Sequence, residues 1–478
     1  MNYYWSSNFN SASALLGGAV VAGEGENTAI YYNPATISEM EKGNSFSFTS
    51  SLFTYNAHHY KNMLGDGITM YEDYLVAQPP FISYANKSKK NNKFSLAITI
   101  LTKAKEDMRI YWAGSQYYNV LTNLPGDDKY NASFNYRNYY LDFWVGGAVA
   151  YELTPKLSVG ASLFVSIVSL KYVYGYSTSA YSVNDTLDPE IYPQASRVAY
   201  NDYRDNLKFT DYRILFKFGV LYTTGSWRFG LNITTPTIYL FSAGKDALSS
   251  KIITNISTSQ NTSLPDYEIF DSQYGSQLKT NFKLPLSVSA GFIKDFHDGN
   301  KRLYLTVEYF NRIQPYKLVT SQPDDNISNL EPDEELQNYD WLSYARGTRN
   351  FINFAIGYSC KLKKRREFLN SFRTDFSSIR NVDLGEYSNY KTLHSFNYNV
   401  LHYAAGLKFN IKKSNFIAGA QFSLAYNNHL KQVTNFTTPL EINEVDDRVL
   451  QGVLDESMSV LFWGISVYIG ANLNFIQN

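Results

Sequence analysis

Histidine is the side chain most often used for metal binding and proton transfer, and the sequence contains six, at positions 58, 59, 297, 394, 402 and 429. Only His58 and His59 are neighbours, and adjacent residues of a strand point to opposite faces of a sheet. A zinc site needs several ligands that converge on one ion. The spacing of the histidines therefore predicts no metal site.

Two further groups could carry chemistry. The acidic run Asp324-Asp325 to Asp333-Glu334-Glu335 offers carboxylates of the kind that bind Ca²⁺, but a solvated acidic loop accounts for it more simply. His402 and Ser395 could be combined into a base and a nucleophile, but no motif with a carboxylate supports that combination. We expect no catalytic residues, no cofactor and no enzymatic activity.

The elements that would have to position any such residue show a clear pattern. Between residues 461 and 475 every odd position is apolar, whereas most even positions are small or polar. Side chains of a strand alternate between its faces, so one face of this segment is continuously apolar. About 9–11 tilted strand residues cross a bilayer, and this segment is longer. It predicts a membrane-spanning strand.

Similar stretches follow one another from about residue 44 to the C-terminus. We predict fourteen strands, at 44–58, 77–86, 93–112, 132–152, 156–177, 207–223, 226–241, 278–294, 302–317, 347–362, 367–379, 393–412, 415–434 and 457–476. Short connections, at 87–92, 153–155, 224–225, 295–301, 363–366 and 413–414, alternate with long ones, at 59–76, 113–131, 178–206, 242–277, 318–346, 380–392 and 435–456. This alternation is typical of outer-membrane barrels, whose periplasmic turns are short and whose outer loops are long. The predicted fold is an all-β, 14-stranded antiparallel transmembrane barrel.

Composition supports a membrane barrel. The chain of 478 residues has 41 Tyr and 31 Phe, and only 18% of its residues are charged. Its formal net charge is zero, which argues against a nucleic-acid partner, and its single cysteine, Cys360, excludes an intrachain disulfide. No stretch reaches the roughly 20 apolar residues of a helical span. The first ten residues lack the features of a signal peptide, so we expect the mature form of an integral outer-membrane protein.

Two strands break the alternation. In 156–177 the apolar positions change from odd to even after Ile167, which predicts a β-bulge. In the third strand the pattern fails at Lys103-Ala104-Lys105-Glu106-Asp107. A lysine facing lipid at mid-membrane costs about 2–4 kcal/mol, so these charges must face inward or lie outside the bilayer, and we favour a position outside.

Residues 1–42 do not follow the strand pattern and form a separate unit from the barrel at 43–478. They contain the small, glycine-rich run from Ser11 to Gly23 and, after it, the triplet Asn33-Pro34-Ala35. The whole run, SALLGGAVVAGEGENTAIYYNPATI, resembles the N-terminal region of the FadL-type family of long-chain fatty-acid and hydrocarbon transporters. Two internal stretches, 216–239 and 282–310, also resemble strand–turn–strand units of that family.

The resemblance implies a barrel whose lumen holds an N-terminal hatch, and a hydrophobic ligand that leaves sideways at a kinked strand. The hatch or gate residues would be Ser11, Ala14, Leu15, Gly17, Gly18, Asn33, Pro34 and Ala35, and the candidate kink is Lys103, Ala104 and Lys105. The implied function is passive uptake of small hydrophobic molecules such as long-chain fatty acids, with outer-membrane lipids as neighbours. The loops at 178–206 and 242–277 are polar, however, and show no apolar surface for capturing such a ligand.

One alternative therefore stays open. Some barrels of this superfamily do not transport. The chain would then be a structural subunit of a larger outer-membrane assembly for secretion or barrel assembly, with other outer-membrane or periplasmic proteins as partners.

Overall fold

The computed structural model describes residues 2–5, 11–24, 26–76, 81–88, 93–184, 186–188, 190–258, 267–276, 278–296, 299–320, 342–362, 365–379, 382–411 and 414–475. The acidic run 324–335 and His297 lie outside these residues. Within them, no helix has both the length and the apolar character to cross a bilayer.

The helices are short and occur mainly before the first strand. Among the fully described elements they are α1 (Ser11–Leu15), α2 (Ala29–Tyr32) and the 3-10 helices Pro34–Glu39, Pro193–Ser196 and Gly385–Tyr387. The strands of the first half are β1 (Gly43–Lys61), β2 (Thr69–Val76), β3 (Phe81–Lys87), β4 (Phe94–Tyr118), β5 (Asp128–Thr154), β6 (Leu157–Ser182), β7 (Ala199–Thr224), β8 (Trp227–Thr234), β9 (Ile238–Ile256) and β10 (Tyr267–Gly275).

The strands of the second half are β11 (Lys279–Thr280), β12 (Ser287–Phe296), β13 (Lys301–Phe310), β14 (Ile313–Thr320), β15 (Tyr344–Thr348), β16 (Phe351–Leu362), β17 (Arg366–Asp375), β18 (Val400–Ile411), β19 (Ser414–Leu430), β20 (Ile442–Asn443), β21 (Arg448–Val449) and β22 (Met458–Phe475). A small sheet of β11, β14 and β15 and the pair β20–β21 stand apart from the main sheet.

The main sheet closes on itself into an antiparallel barrel of fourteen spans, which confirms the predicted fold. Closure is made by β1 and β22, which pair from Asn44 with Phe475 to Lys61 with Ser459. Three of the spans in the described part of the chain consist of two strand segments: β2 with β3, β8 with β9, and β10 with β12. Between β8 and β9 lies Pro236, which has no N–H to donate to a neighbouring strand.

Several strands are longer than the sequence pattern suggested. β7 begins at Ala199, within the range 178–206, β9 extends to Ile256 in the range 242–277, and β10 lies within that second range. Short connections are at one end of the barrel and long ones at the other, which in outer-membrane barrels are the periplasmic and extracellular ends. The long strands therefore raise the wall well above the membrane on the extracellular side.

The bulge predicted within 156–177 is wrong. β6 pairs with β7 without a register shift from Leu157 to Ala180, and its even positions face the interior throughout. The apolar positions change parity for another reason. Up to Ile167 the apolar side chains are those that face outward, whereas from Val168 onward they are those that face inward. The strand keeps its register while its surroundings change.

The interior is filled by different material at the two ends. At the periplasmic end it holds the N-terminal segment, which we define as the described residues up to 42. At the extracellular end it holds an apolar cluster rich in tyrosine, to which the wall and the connections around Leu64, Leu121, Leu393 and Leu450 contribute. We call this cluster the outer core.

Candidate functional site

The third span, β4, carries the irregularity that the sequence placed at Lys103. Its pairing with β5 shifts between Thr102 and Ala104, so the inward face changes from odd to even positions at this point. Thr102, Lys103 and Ala104 are all buried, and Lys103 is only 8% exposed. The favoured expectation of a position outside the bilayer is wrong for Lys103, which points inward.

Lys103 connects the irregular strand with the N-terminal segment. Its Nζ donates a hydrogen bond to the carbonyl oxygen of Tyr4 and lies 5.4 Å from the ring centroid of Tyr31. Lys217 Nζ, on β7, lies 4.5 Å from the centroid of the same ring. Hydrogen bonding and ring contacts replace part of the hydration that a buried ammonium loses.

The wall is not continuous beside this strand. Among the described residues, β2 pairs only with β1, and the part of β4 beyond Ile100 pairs only with β5. A side-chain contact crosses the interval, where the backbone N–H of Arg109 donates to the carboxylate of Glu72. We call the interval between β2 and the extracellular part of β4 the wall gap.

A cavity of about 130 Å³ lies inside the barrel at the wall gap. Tyr74 of β2 and Ala104 and Met108 of β4 line it from the wall, and Asn2 and Tyr3 line it from the N-terminal segment. Phe396, Tyr398 and Phe462 add aromatic surface, while His58, His402 and Gln421 add polar surface. An apolar protein cavity of about 150 Å³ can hold a benzene ring, so this space has the volume for one ring, although Glu106 and Asp375 also line it.

Polar side chains of the wall hold the start of the N-terminal segment at mid-barrel. The indole Nε1 of Trp5 donates to Glu308 Oε2 at 2.5 Å, and the Trp5 backbone N–H donates to Asp375 Oδ1 at 3.2 Å. Arg373 donates to the carbonyl oxygen of Trp5. Glu308, Arg373 and Asp375 are not among the site residues predicted from the sequence, although each is a charged residue on a predicted strand, which is itself a signal of an inward-facing position.

The helical residues proposed for a hatch are packed against the later strands. Ala14 and Leu15 of α1 are fully buried, and Leu15 contacts the wall at Gly406 and Gly419. Gly17 and Gly18, with φ of 61° and 79°, reverse the chain directly after the helix. The backbone of Ser11 begins α1.

The Asn33-Pro34-Ala35 triplet is packed against the earlier strands. The Asn33 side chain accepts a hydrogen bond from the Ala35 backbone N–H at 3.1 Å and begins the 3-10 helix. Its Nδ2 donates to Val21 O at 2.7 Å and to Val220 O of β7 at 3.0 Å. A Cβ at Gly219 would overlap the Asn33 side chain, so glycine is required there for the close approach.

Ion pairs fasten the N-terminal segment at the periplasmic end. Glu24 lies 3.6 Å from Arg302 and 3.9 Å from Lys408, Glu26 lies 3.1 Å from Lys408, and Glu39 lies 3.4 Å from Arg228. Burial acts to raise the pKa of Glu24, but Lys408 and Arg302 hold it below its ordinary value. Burial raises the pKa of Glu39, and Arg228 only partly offsets this effect. We call this group the periplasmic ion cluster.

The residues considered for catalysis do not form a catalytic arrangement. His402 Nδ1 is 2.7 Å from Ser423 Oγ, and its hydrogen-bond partners do not include Ser395, which lies elsewhere on the cavity wall. Within the described residues there is also no group of three or more His, Cys, Asp or Glu side chains placed to hold a metal ion.

Comparison with known proteins identifies the fold. The sequence matches no protein-family model and no curated protein. A Pseudomonas aeruginosa FadL homologue of known structure is 11% identical, with complete coverage of both chains and a TM-score of 0.59. The Pseudomonas putida toluene transporter TodX (12% identity, TM-score 0.57) and the Ralstonia pickettii toluene transporter TbuX (14%, 0.53) each match over 98% of this chain and 99% of their own. The chain therefore has the fold of the FadL-type barrels.

Proposed function

We propose that this protein is an outer-membrane channel for passive uptake of small hydrophobic molecules. The observation that carries the proposal is the cavity at the wall gap. A ligand that reaches it would lie beside an interval where two neighbouring spans, β2 and the extracellular part of β4, are not joined among the described residues. The apolar outer surface and the fold shared with toluene transporters support this function.

We propose a molecule with a single aromatic ring as the preferred ligand. The cavity volume of about 130 Å³ is close to that of a benzene-binding cavity. A long-chain fatty acid would have to displace the N-terminal residues 2–5, which Lys103, Arg373 and Asp375 hold in place. Fatty acids thus serve as the second probe in the test of this proposal.

In this proposal the N-terminal segment is the hatch. Ser11, Ala14, Leu15, Gly17 and Gly18 would hold it against the later strands, and Asn33, Pro34 and Ala35 against the earlier ones. Lys103, Ala104 and Lys105 would form the exit, with Lys103 linking the exit strand to Tyr4.

The test is uptake by cells that depend on this protein for entry of the probe. We expect radiolabelled toluene to enter faster with the protein than without it, and Ala104→Trp, which fills the cavity, to reduce that gain at least about tenfold. Ala113→Trp is the matched control, because Ala113 lies on the outward face of the same strand. Val400→Trp fills the cavity from another strand. It provides the same test if the Ala104→Trp protein does not fold. Equal toluene uptake with and without the folded protein would refute the proposal, and faster uptake of oleate than of toluene would refute the choice of ligand.

A structural role is the second candidate, because the outer core fills the extracellular half of the barrel. In that case the protein would hold other outer-membrane or periplasmic proteins and conduct nothing. Stoichiometric co-purification with such proteins, together with unchanged toluene uptake, is the result that favours it.

A further inference from the structure

Four cationic side chains lie on the outer surface of four adjacent strands. They are Arg109 of β4, Arg137 of β5, Lys171 of β6 and Lys208 of β7. Arg109 pairs directly with Arg137, and Lys171 pairs directly with Lys208. Arg137 pairs with Val173, two residues from Lys171. The four charges therefore form one continuous patch, which we call the basic patch.

The basic patch lies at a defined depth. Three of its strands carry an outward-facing apolar band, at 141–151 in β5, 157–167 in β6 and 212–222 in β7. These bands have the length that a tilted strand needs to cross the hydrocarbon layer, about 9–11 residues. Each cation lies four residues beyond the extracellular end of its band: Arg137 beyond residue 141, Lys171 beyond 167 and Lys208 beyond 212. Four residues rise about 13 Å along a strand, or about 10 Å along the membrane normal at a usual tilt.

That depth corresponds to the headgroup layer of the outer leaflet for side chains as long as Lys and Arg. The side chains are open to this layer, since Arg109 is 62% exposed, Lys208 49% and Arg137 36%. Aromatic rings mark the same boundary. Lys171 Nζ lies 5.9 Å from the Tyr139 ring centroid, and Tyr212 stacks on Phe241 at 4.4 Å.

The patch keeps an excess of positive charge. Asp107 lies 2.8 Å from Arg109 and 3.4 Å from Arg137, and Asp246 lies 3.5 Å from Lys208. Four cations against two carboxylates leave two positive charges at the level of the headgroups. An arginine pair beside lysines matches phosphate, which guanidinium binds with two parallel hydrogen bonds.

We infer that the basic patch binds the phosphate groups of a phosphorylated glycolipid of the outer leaflet. The complementary charge, the depth, and the continuity with the lipid-facing band favour a lipid over a soluble anion or a protein. This inference does not depend on what passes through the barrel.

The experiment uses the full chain in nanodiscs and native mass spectrometry, with bisphosphorylated lipid A as the probe. We expect Arg137→Gln/Lys171→Gln/Lys208→Gln to bind it at least about tenfold more weakly than the unaltered protein, because three of the four cations that attract an anionic lipid are removed. The matched control is Lys156→Gln/Lys301→Gln/Lys361→Gln, which removes three exposed cations at the periplasmic end. We expect this control to bind lipid A like the unaltered protein.

Three results would overturn the inference. One is an equal loss of binding in the control, which would indicate nonspecific attraction by total charge. Another is equal binding of bisphosphorylated lipid A and its dephosphorylated form. Competition by millimolar inorganic phosphate as effective as that by lipid A would identify a free-anion site and would also contradict a lipid site.

Discussion

The periplasmic and extracellular halves of the barrel present their apolar faces in opposite directions. In the periplasmic half of β6 the outward residues are apolar, while Ser158, Ser162 and Ser166 face the interior, where Ser162 donates to Ile30 O of the N-terminal segment at 2.8 Å. In the extracellular half of the same strand, Leu170 and Tyr172 face inward and are buried in the outer core. Apolar and polar residues alternate with a period of two in both halves. The apolar residues face outward where lipid surrounds the barrel and inward where water surrounds it.

The first prediction tests whether the extracellular half is a true core. Tyr130 is 1% exposed in the outer core, and its hydroxyl donates to Leu450 O at 2.8 Å. We expect Tyr130→Ala to lower the free energy of unfolding by about 3–5 kcal/mol, since it removes a buried aromatic ring. Tyr130→Phe is the control and should cost only about 0.5–1.5 kcal/mol for one hydrogen bond. Reversible urea unfolding in lipid vesicles measures both, and near-equal costs would mean that the ring is not packed.

The second prediction tests the outer surfaces of the two halves on one strand. Leu163 faces outward within the apolar band of β6, and Val173 faces outward beyond it. We expect Leu163→Arg to cost about 2–4 kcal/mol and Val173→Arg about 0–1 kcal/mol, because the cost of a lipid-facing charge falls from the midplane to the interface. The same unfolding assay applies. Similar costs at both positions would show that the membrane boundary has been placed wrongly.

The third prediction concerns the interior of the periplasmic half. The pKa of Glu24 is lowered in the folded protein, so its ionised form stabilises the fold above the ordinary value of 4.5, and this stabilisation is lost as the pH falls through the folded pKa. We expect Glu24→Gln to cost about 1–3 kcal/mol at pH 7, because Arg302 and Lys408 lose a charged partner, and to weaken the dependence on pH below 4.5.

Glu39→Gln is the matched control for that prediction. Burial raises the pKa of Glu39, so its ionised form is disfavoured in the fold and a neutral side chain should cost little at pH 7. Hydrogen exchange of residues 11–42 at pH 7 and pH 3.5 separates the two variants. Faster exchange in Glu39→Gln than in Glu24→Gln would contradict the assigned directions.

The sequence allowed the membrane-embedded part of the fold to be predicted because lipid imposes apolar residues on alternate positions. It did not reveal the upper parts of β7, β9 and β10, since above the membrane lipid no longer requires apolar residues at the outward positions, which include Arg204 of β7 as well as Phe270 of β10. The change of parity in β6 likewise predicts a bulge, whereas the structure shows an unbroken register whose apolar face turns from outward to inward. In β4 the break at Lys103 does coincide with a register shift.

The candidate site was only partly accessible from sequence. The N-terminal triplet and the break at Lys103 were visible as local irregularities. The cavity was not, because its lining comes from strands at both ends of the chain, from Asn2 and His58 to Phe462. Which of these residues meet depends on barrel closure, which no local pattern encodes.

The N-terminal segment also joins parts of the chain that are far apart in sequence. The 3-10 helix Pro34–Glu39 contacts β4, β5, β6 and β7, whereas α1 contacts β17, β18, β19 and β22. Closing the seam between β1 and β22 requires two segments about four hundred residues apart to meet, and loop-closure entropy opposes that encounter. A segment that binds both groups of strands keeps the two groups close together and so raises the effective concentration of one group near the other. In the finished barrel, the residues that fill the lumen therefore also join strands from both ends of the chain.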